Sequence, residues 1–215
     1  MLEFTYDPPA VPLTILHADA ALLVLDKPAG LLSVPGKTAG REDCLIARLQ
    51  AVHPEALLVH RLDCDTSGVM VFARTKAAQG HLGKQFEARG VGKTYVARVA
   101  GRVAGEAGRI DLPIGVDWPN RPRQKVDPEH GRAAETGWAV IARGDGETRL
   151  RLSPRTGRSH QLRVHLAALG HPILGDPIYS ADAAAWPRMM LHAETLRLRH
   201  PVGGAWVDFA AACPF

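Results

Sequence analysis

The sequence predicts an α+β fold with a mixed, mostly antiparallel sheet and flanking helices. Three observations carry that expectation: strand-like runs outnumber helical ones, helices do not alternate one for one with strands, and Gly144-Asp145-Gly146 separates two alternating runs as a hairpin turn. With 215 residues, 46% of them hydrophobic, the chain can bury a sizeable core. No repeat, low-complexity tract or linker divides it, so one domain over residues 1–215 is expected.

In chain order, strands are read at 13–16 and 21–25, followed by a turn at Asp26-Lys27-Pro28-Ala29-Gly30. Leu45, Ile46, Leu49 and Val52 recur at helical spacing ahead of Pro54 and predict an amphipathic helix over about 42–52. The run Val69-Met70-Val71-Phe72-Ala73 reads as a buried strand. Thr75 opens a second helix to about Ala88, with Gly90 as its stop. Strands are expected at 93–99 and 109–114, then a loop at 117–126. A strand pair fits 136–142 and 148–152. Ser159 is positioned to cap a third helix, on which Leu162, Leu166 and Leu169 form one stripe, Arg163 lies on another face, and Gly170 closes the end. Two last strands are read at 189–199 and 205–210.

Lys and Arg exceed Asp and Glu by 26 to 22, a net charge of +4 that leans toward a polyanionic partner. Cys44, Cys64 and Cys213 are odd in number and widely spaced, which argues against a disulfide framework and a zinc cluster. No apolar window approaches the length of a membrane span, and residues 1–15 lack the pattern of a signal peptide, so a cytoplasmic protein is expected.

His60-Arg61-Leu62-Asp63-Cys64-Asp65-Thr66-Ser67-Gly68 places a carboxylate beside an arginine just ahead of the buried strand. Asp63 there is either a catalytic carboxylate or the cap of an Asx-type turn. Thr156-Gly157-Arg158-Ser159-His160-Gln161-Leu162-Arg163 concentrates polar groups where a helix begins, a setting suited to anions, although Arg163 read alone is equally a solvated arginine. Tyr95 on its strand offers a ring and a hydroxyl or is a core residue, and Leu191 is a core leucine unless a pocket surrounds it. Gly92-Lys93-Thr94 and Gly36-Lys37-Thr38 are not P-loops, because Glu87 and Leu31 stand where the upstream glycine belongs. The ten histidines never form His-Glu-x-x-His, and no metal site is expected.

The three motifs together resemble the RluA family of RNA pseudouridine synthases: His-Arg-Leu-Asp-x-x-Thr-Ser-Gly at 60–68, Lys-x-Tyr at 93–95, and Thr-Gly-Arg-x-His-Gln-Leu-Arg-x-His at 156–165. Asp26-Lys27-Pro28-Ala29-Gly30, His171-Pro172-Ile173-Leu174-Gly175-Asp176 and Leu191-His192-Ala193 extend the likeness over nearly the whole chain. The resemblance implies the pseudouridine synthase fold with a central active-site cleft, Asp63 as catalytic aspartate, Arg163 as its partner and Tyr95 in the base pocket. It also implies Leu191 in that pocket and Arg61 entering the RNA stack where the uridine leaves it; His60, Thr66 and His160 are candidates at the RNA substrate, and Arg121, Arg123, Lys125 and Arg158 for the basic surface that holds its backbone. Lys76 and Lys84 are further candidates for the basic surface.

The stretch 117–126 looks like the RluA subgroup that lacks an S4 domain. That subgroup acts on a 23S rRNA hairpin and on tRNA anticodon stem-loops. A monomer without cofactor is the expected form. Three alternatives remain: a tRNA-only relative, a non-catalytic RNA-binding or RNA-chaperone protein on the same scaffold, and a carboxylate-dependent nucleoside or sugar hydrolase.

Overall fold

The computed structural model describes residues 6–215; residues 1–5, part of the stretch read as lacking a leader, lie outside the described residues. Strands β1 (Thr14–Ala18) and β2 (Leu22–Lys27) precede helix α1 (Leu45–Val52), then β3 (Leu57–Leu58), β4 (Ser67–Ala73) and helix α2 (Lys76–Glu87). Next come β5 (Gly92–Ala100), β6 (Ala107–Asp111), β7 (Ile114–Val116), β8 (Gln124–Val126), β9 (Glu135–Arg143) and β10 (Glu147–Pro154). Helix α3 (Gln161–Ala168), β11 (Leu191–Arg199) and β12 (Trp206–Ala210) complete the order. Two compact units emerge, one from residues 6–93 and 192–214, the other from 94–191 with Phe215.

In the first unit β4 is the axis. β2 runs antiparallel to it from Leu22↔Ala73 to Lys27↔Gly68, while β11 lies parallel on its other edge, pairing His192↔Ser67 and Ala193↔Gly68. All seven residues of β4 are buried, so an unbroken apolar run takes the place of alternation. Val69, Val71 and Ala73 pack with Ala78 and Leu82 of α2 and with Leu196 and Leu198 of β11. The mixture of parallel and antiparallel pairs agrees with the predicted class.

The second unit is an antiparallel sheet in the order β5, β10, β9, β6, with β7 and β8 as a separate two-stranded ribbon. Leu162 and Leu166 of α3 join Val99, Leu150, Leu152 and Ile173 in its core.

Several boundaries differ from the sequence reading. Helix α1 begins at Leu45 because the Leu45 and Ile46 amides bond to the carbonyls of Leu32 and Ser33, at 2.8 and 3.3 Å, so loop carbonyls satisfy the first turn. Thr75 does cap α2, accepting the Ala78 amide at 3.1 Å, but the left-handed turn after it falls on Arg89 (φ 58°), one residue before Gly90. The strand read over 109–114 is two strands, broken at Leu112-Pro113, where the proline has no amide for the ladder. Residues 117–126 are not all loop: Trp118–Asn120 form a 3-10 turn, and β8 pairs with β7 from Ile114↔Val126 to Val116↔Gln124. Ser159 does not cap α3. The residue before the helix is His160, in the left-handed region at φ 54°, and the Arg158 amide bonds instead to the Gln161 side chain at 3.0 Å. Leu169, the third leucine of the stripe, is exposed at the end of the helix.

Gly68 opens β4 at φ +114°, and a Cβ there would stand 2.2 Å from the Ala193 carbonyl oxygen. Gly68→Ala is therefore expected to cost about 3 kcal/mol or to prevent folding, read as a lowered urea midpoint.

Candidate active site

The turn between β3 and β4 carries Asp63. The chain on either side of it is held by buried groups. Ser33, 3% exposed, donates its hydroxyl to the Leu62 carbonyl at 2.7 Å and accepts the Leu62 amide at 3.1 Å. On the other side the Cys64 carbonyl accepts the Lys27 ammonium at 2.7 Å and the Gly30 amide at 3.0 Å. Lys27 is wholly buried, and it also donates to the carbonyls of Pro28 and Leu31, at 2.9 and 2.5 Å. A buried ammonium needs such partners, because its desolvation is otherwise uncompensated. The Thr66 amide closes the turn on the Asp63 carbonyl at 3.2 Å, and Thr66 itself is buried.

Ser67 is fastened as well. Its hydroxyl lies 2.8 Å from His192 Nδ1, while His192 Nε2 is 3.1 Å from the Ala211 carbonyl. A carbonyl only accepts, so Nε2 carries a proton and donates to Ala211. Leu62, Cys64 and Ser67 are thus anchored around Asp63, which is only half-buried. Its neighbour Arg61 is exposed. His60 turns into the unit: its ring stacks on Phe86 at 4.6 Å and Nε2 accepts the Val71 amide at 3.1 Å. Burial, with the nearby Lys93 charge as a lesser cause, pushes its pKa down to about 3.

In the second unit Arg163 is 2% exposed and forms a bidentate pair with Asp176, Nε to Oδ2 at 2.7 Å and Nη2 to Oδ1 at 2.8 Å. Asp176 Oδ1 also accepts the amides of Ile178 and Tyr179, at 2.9 and 3.1 Å, so the buried carboxylate is well satisfied. Gly175 makes the bend possible at φ +73°, since a Cβ there would meet the Arg188 carbonyl oxygen at 2.1 Å. The Arg163 guanidinium lies 5.1 Å from the Tyr179 ring, and Arg123 lies at the same distance from it. The Tyr179 hydroxyl accepts the Gln124 amide at 2.8 Å and sits 2.9 Å from His160 Nδ1; burial raises its pKa to about 12.

Arg163, His160 and Arg123 therefore gather around Asp176 and Tyr179, which the residue-by-residue reading had not singled out for a role. The motif quoted to Asp176 stopped three residues short of the tyrosine that organises the group. Tyr95 and Leu191 sit at the core of the same unit, Tyr95 half-buried opposite Leu152 and Leu191 3% exposed. Arg158 donates through Nε to the Ala133 carbonyl at 3.1 Å. Arg121 stacks over Trp118 at 4.1 Å, and Lys125 is exposed on β8.

The family model of RNA pseudouridylate synthases matches residues 21–168, a span that includes the Asp63 turn, Tyr95 and α3. The chain belongs to this family. It is an RNA pseudouridine synthase, an isomerase whose substrate is RNA. Among its relatives, the dual-specificity RNA pseudouridine synthase RluA of Yersinia pestis is 51% identical over 94% of this chain and 99% of its own. The protein of the same name from Escherichia coli K12 is 50% identical over 98% of both chains. Human RNA pseudouridylate synthase domain containing 1 superposes with a TM-score of 0.81 at 30% identity, covering 97% of this chain and 87% of the human one.

Arg163→Ala would strand the Asp176 carboxylate in the interior, and the expected loss is about 3 to 5 kcal/mol of stability, measured by urea unfolding. His60 has the opposite sign to a salt-bridged histidine, because its folded pKa of about 3 lies below the unfolded 6.5. Between those values the unfolded chain binds more protons, so its contribution to stability is full above pH 6.5 and declines as pH falls toward 3. His60→Gln should flatten that part of the stability–pH curve.

Proposed function

We propose that this synthase is dual-specific, modifying one uridine in a large-subunit rRNA hairpin and one in a tRNA anticodon stem-loop, with the whole chain acting as a single catalytic domain. The observation that carries the reading is the half-identity, end to end, with relatives named as dual-specificity RluA synthases.

In this reading Asp63 is the nucleophile. The anchored turn supports the role: Lys27, Ser33 and His192 hold the flanking residues and leave the carboxylate half-exposed at the end of a buried strand. The carboxylate acts at the sugar or at the base ring. On either route the bond from the ribose anomeric carbon to N1 breaks, a bond from that carbon to C5 forms, the C5 proton leaves and N1 gains one, so no redox partner is needed.

A stacked uridine hides these atoms, and the base must be turned out of the strand. The exposed Arg61 is suited to fill the vacated place in the stack. The family resemblance assigns Arg163 to the catalytic aspartate and Tyr95 and Leu191 to the base, and Arg158, His160, Arg121, Arg123 and Lys125 are assigned to the displaced backbone. His60 and Thr66 keep the turn in shape from within. The chain works as a cytoplasmic monomer.

The test is tritium release from C5-labelled uridine in the two RNAs. Wild type is expected to release label from both and Asp63→Asn from neither, with an unchanged circular dichroism spectrum. Release from the tRNA alone would reduce the proposal to a tRNA-only enzyme, and substantial release by Asp63→Asn would overturn the role of Asp63. Affinity for either RNA should fall steeply between about 50 and 200 mM salt if phosphate contacts dominate.

A further inference from the structure

Within the unit of residues 94–191, a cavity of about 740 Å³ lies between the β7–β8 ribbon and the loop that leads into α3. Trp118, Lys125, His130, Arg132, Arg158 and Ser159 are on its wall, whereas Asp63, Tyr95, Arg163 and Leu191 are not. It is therefore separate from the residues assigned to the reacting uridine.

Its chemistry is that of a single-strand nucleic-acid site. Three cations, Lys125, Arg132 and Arg158, face one carboxylate, Asp127. Asp127 is occupied by its own turn, with Oδ1 accepting the His130 amide at 3.0 Å. The Arg158 guanidinium is tethered through Nε to the Ala133 carbonyl at 3.1 Å, which limits the freedom it would lose on binding. Trp118 is 67% exposed, an unusual position for so large an apolar ring, and Arg121 stacks on it at 4.1 Å. An aromatic platform beside spaced cations is the combination that holds an unpaired base and its phosphate. The volume falls within the range of about 300 to 1,000 Å³ typical of small-ligand sites, enough for a nucleotide and too small for a duplex.

We propose that this cavity receives one unpaired nucleotide of the RNA substrate other than the target uridine, its base against the Trp118–Arg121 pair and its phosphate among Lys125, Arg132 and Arg158. The proposal rests on the reading of the chain as a stem-loop RNA synthase and adds a second contact by which the loop is held. An acidic peptide would use the cations and leave Trp118 idle, which the test separates.

The experiment uses anticodon stem-loop RNA carrying 4-thiouridine at one non-target loop position at a time. Photocrosslinks are mapped on the protein, and kcat and KM are measured for Trp118→Ala, Trp118→Phe and Arg132→Ala, with Arg109→Ala as a control of equal charge loss. One loop position is expected to crosslink within residues 118–132. Trp118→Ala should raise KM roughly tenfold and lose the crosslink, Trp118→Phe should keep both close to wild type, and Arg132→Ala should lower the salt slope of binding by about 0.7.

Turnover with crosslinks only elsewhere, or with a wild-type KM in Trp118→Ala, would overturn the cavity proposal alone. A crosslink at this site without turnover by wild type would support the cavity and overturn the functional reading. Both residues are exposed, and Arg132→Ala keeps the test decisive should Trp118→Ala fail to fold.

Discussion

The buried pair between Arg163 and Asp176 is the constraint around which the α3 unit is organised. Each ion gives up several kcal/mol of hydration, of order, on leaving water, and the bidentate geometry with two added amide donors offsets that loss. The geometry also dictates position. Because Asp176 binds the Ile178 and Tyr179 amides, the segment after it must curl, and the curl brings the Tyr179 ring against Arg163 and its hydroxyl to His160 and Gln124. The β7–β8 ribbon is thereby tied to the start of α3.

The Asp63 turn is built on a different principle. Its supports act on the backbone of residues that flank the aspartate, so the chain on both sides is fixed. A buried lysine is an uncommon choice for this work. Three donors on one small cation can gather the carbonyls of Pro28, Leu31 and Cys64 at once, which no uncharged side chain does. Gly68 completes the arrangement by letting β4 start against the Ala193 backbone.

Much of this architecture was legible in the residues. Apolar runs and turn chemistry located most of the strands but not β3 or β8, and Thr75 and Gly144-Asp145-Gly146 marked real boundaries, because those signals are local. Misreadings arose where distant groups set the outcome. Helix α1 is shortened by loop carbonyls, α3 is entered through a left-handed His160 in place of a Ser159 cap, and β8 forms because β7 offers it an edge. Asp176 was visible only as the last letter of a motif, and Tyr179 carried no local sign of its part.

By itself the sequence determined the strand-rich α+β class and the family, since each depends on which residues occur and in what order. Only the tertiary structure decided what holds them: that Lys27 grips the Asp63 turn, that Asp176 pairs with Arg163, and that Trp118, Arg132 and Arg158 share one cavity. The physical reason is the same in each case. Hydrogen bonds and ion pairs between residues far apart in sequence depend on distance and burial, and a linear order of side chains contains neither.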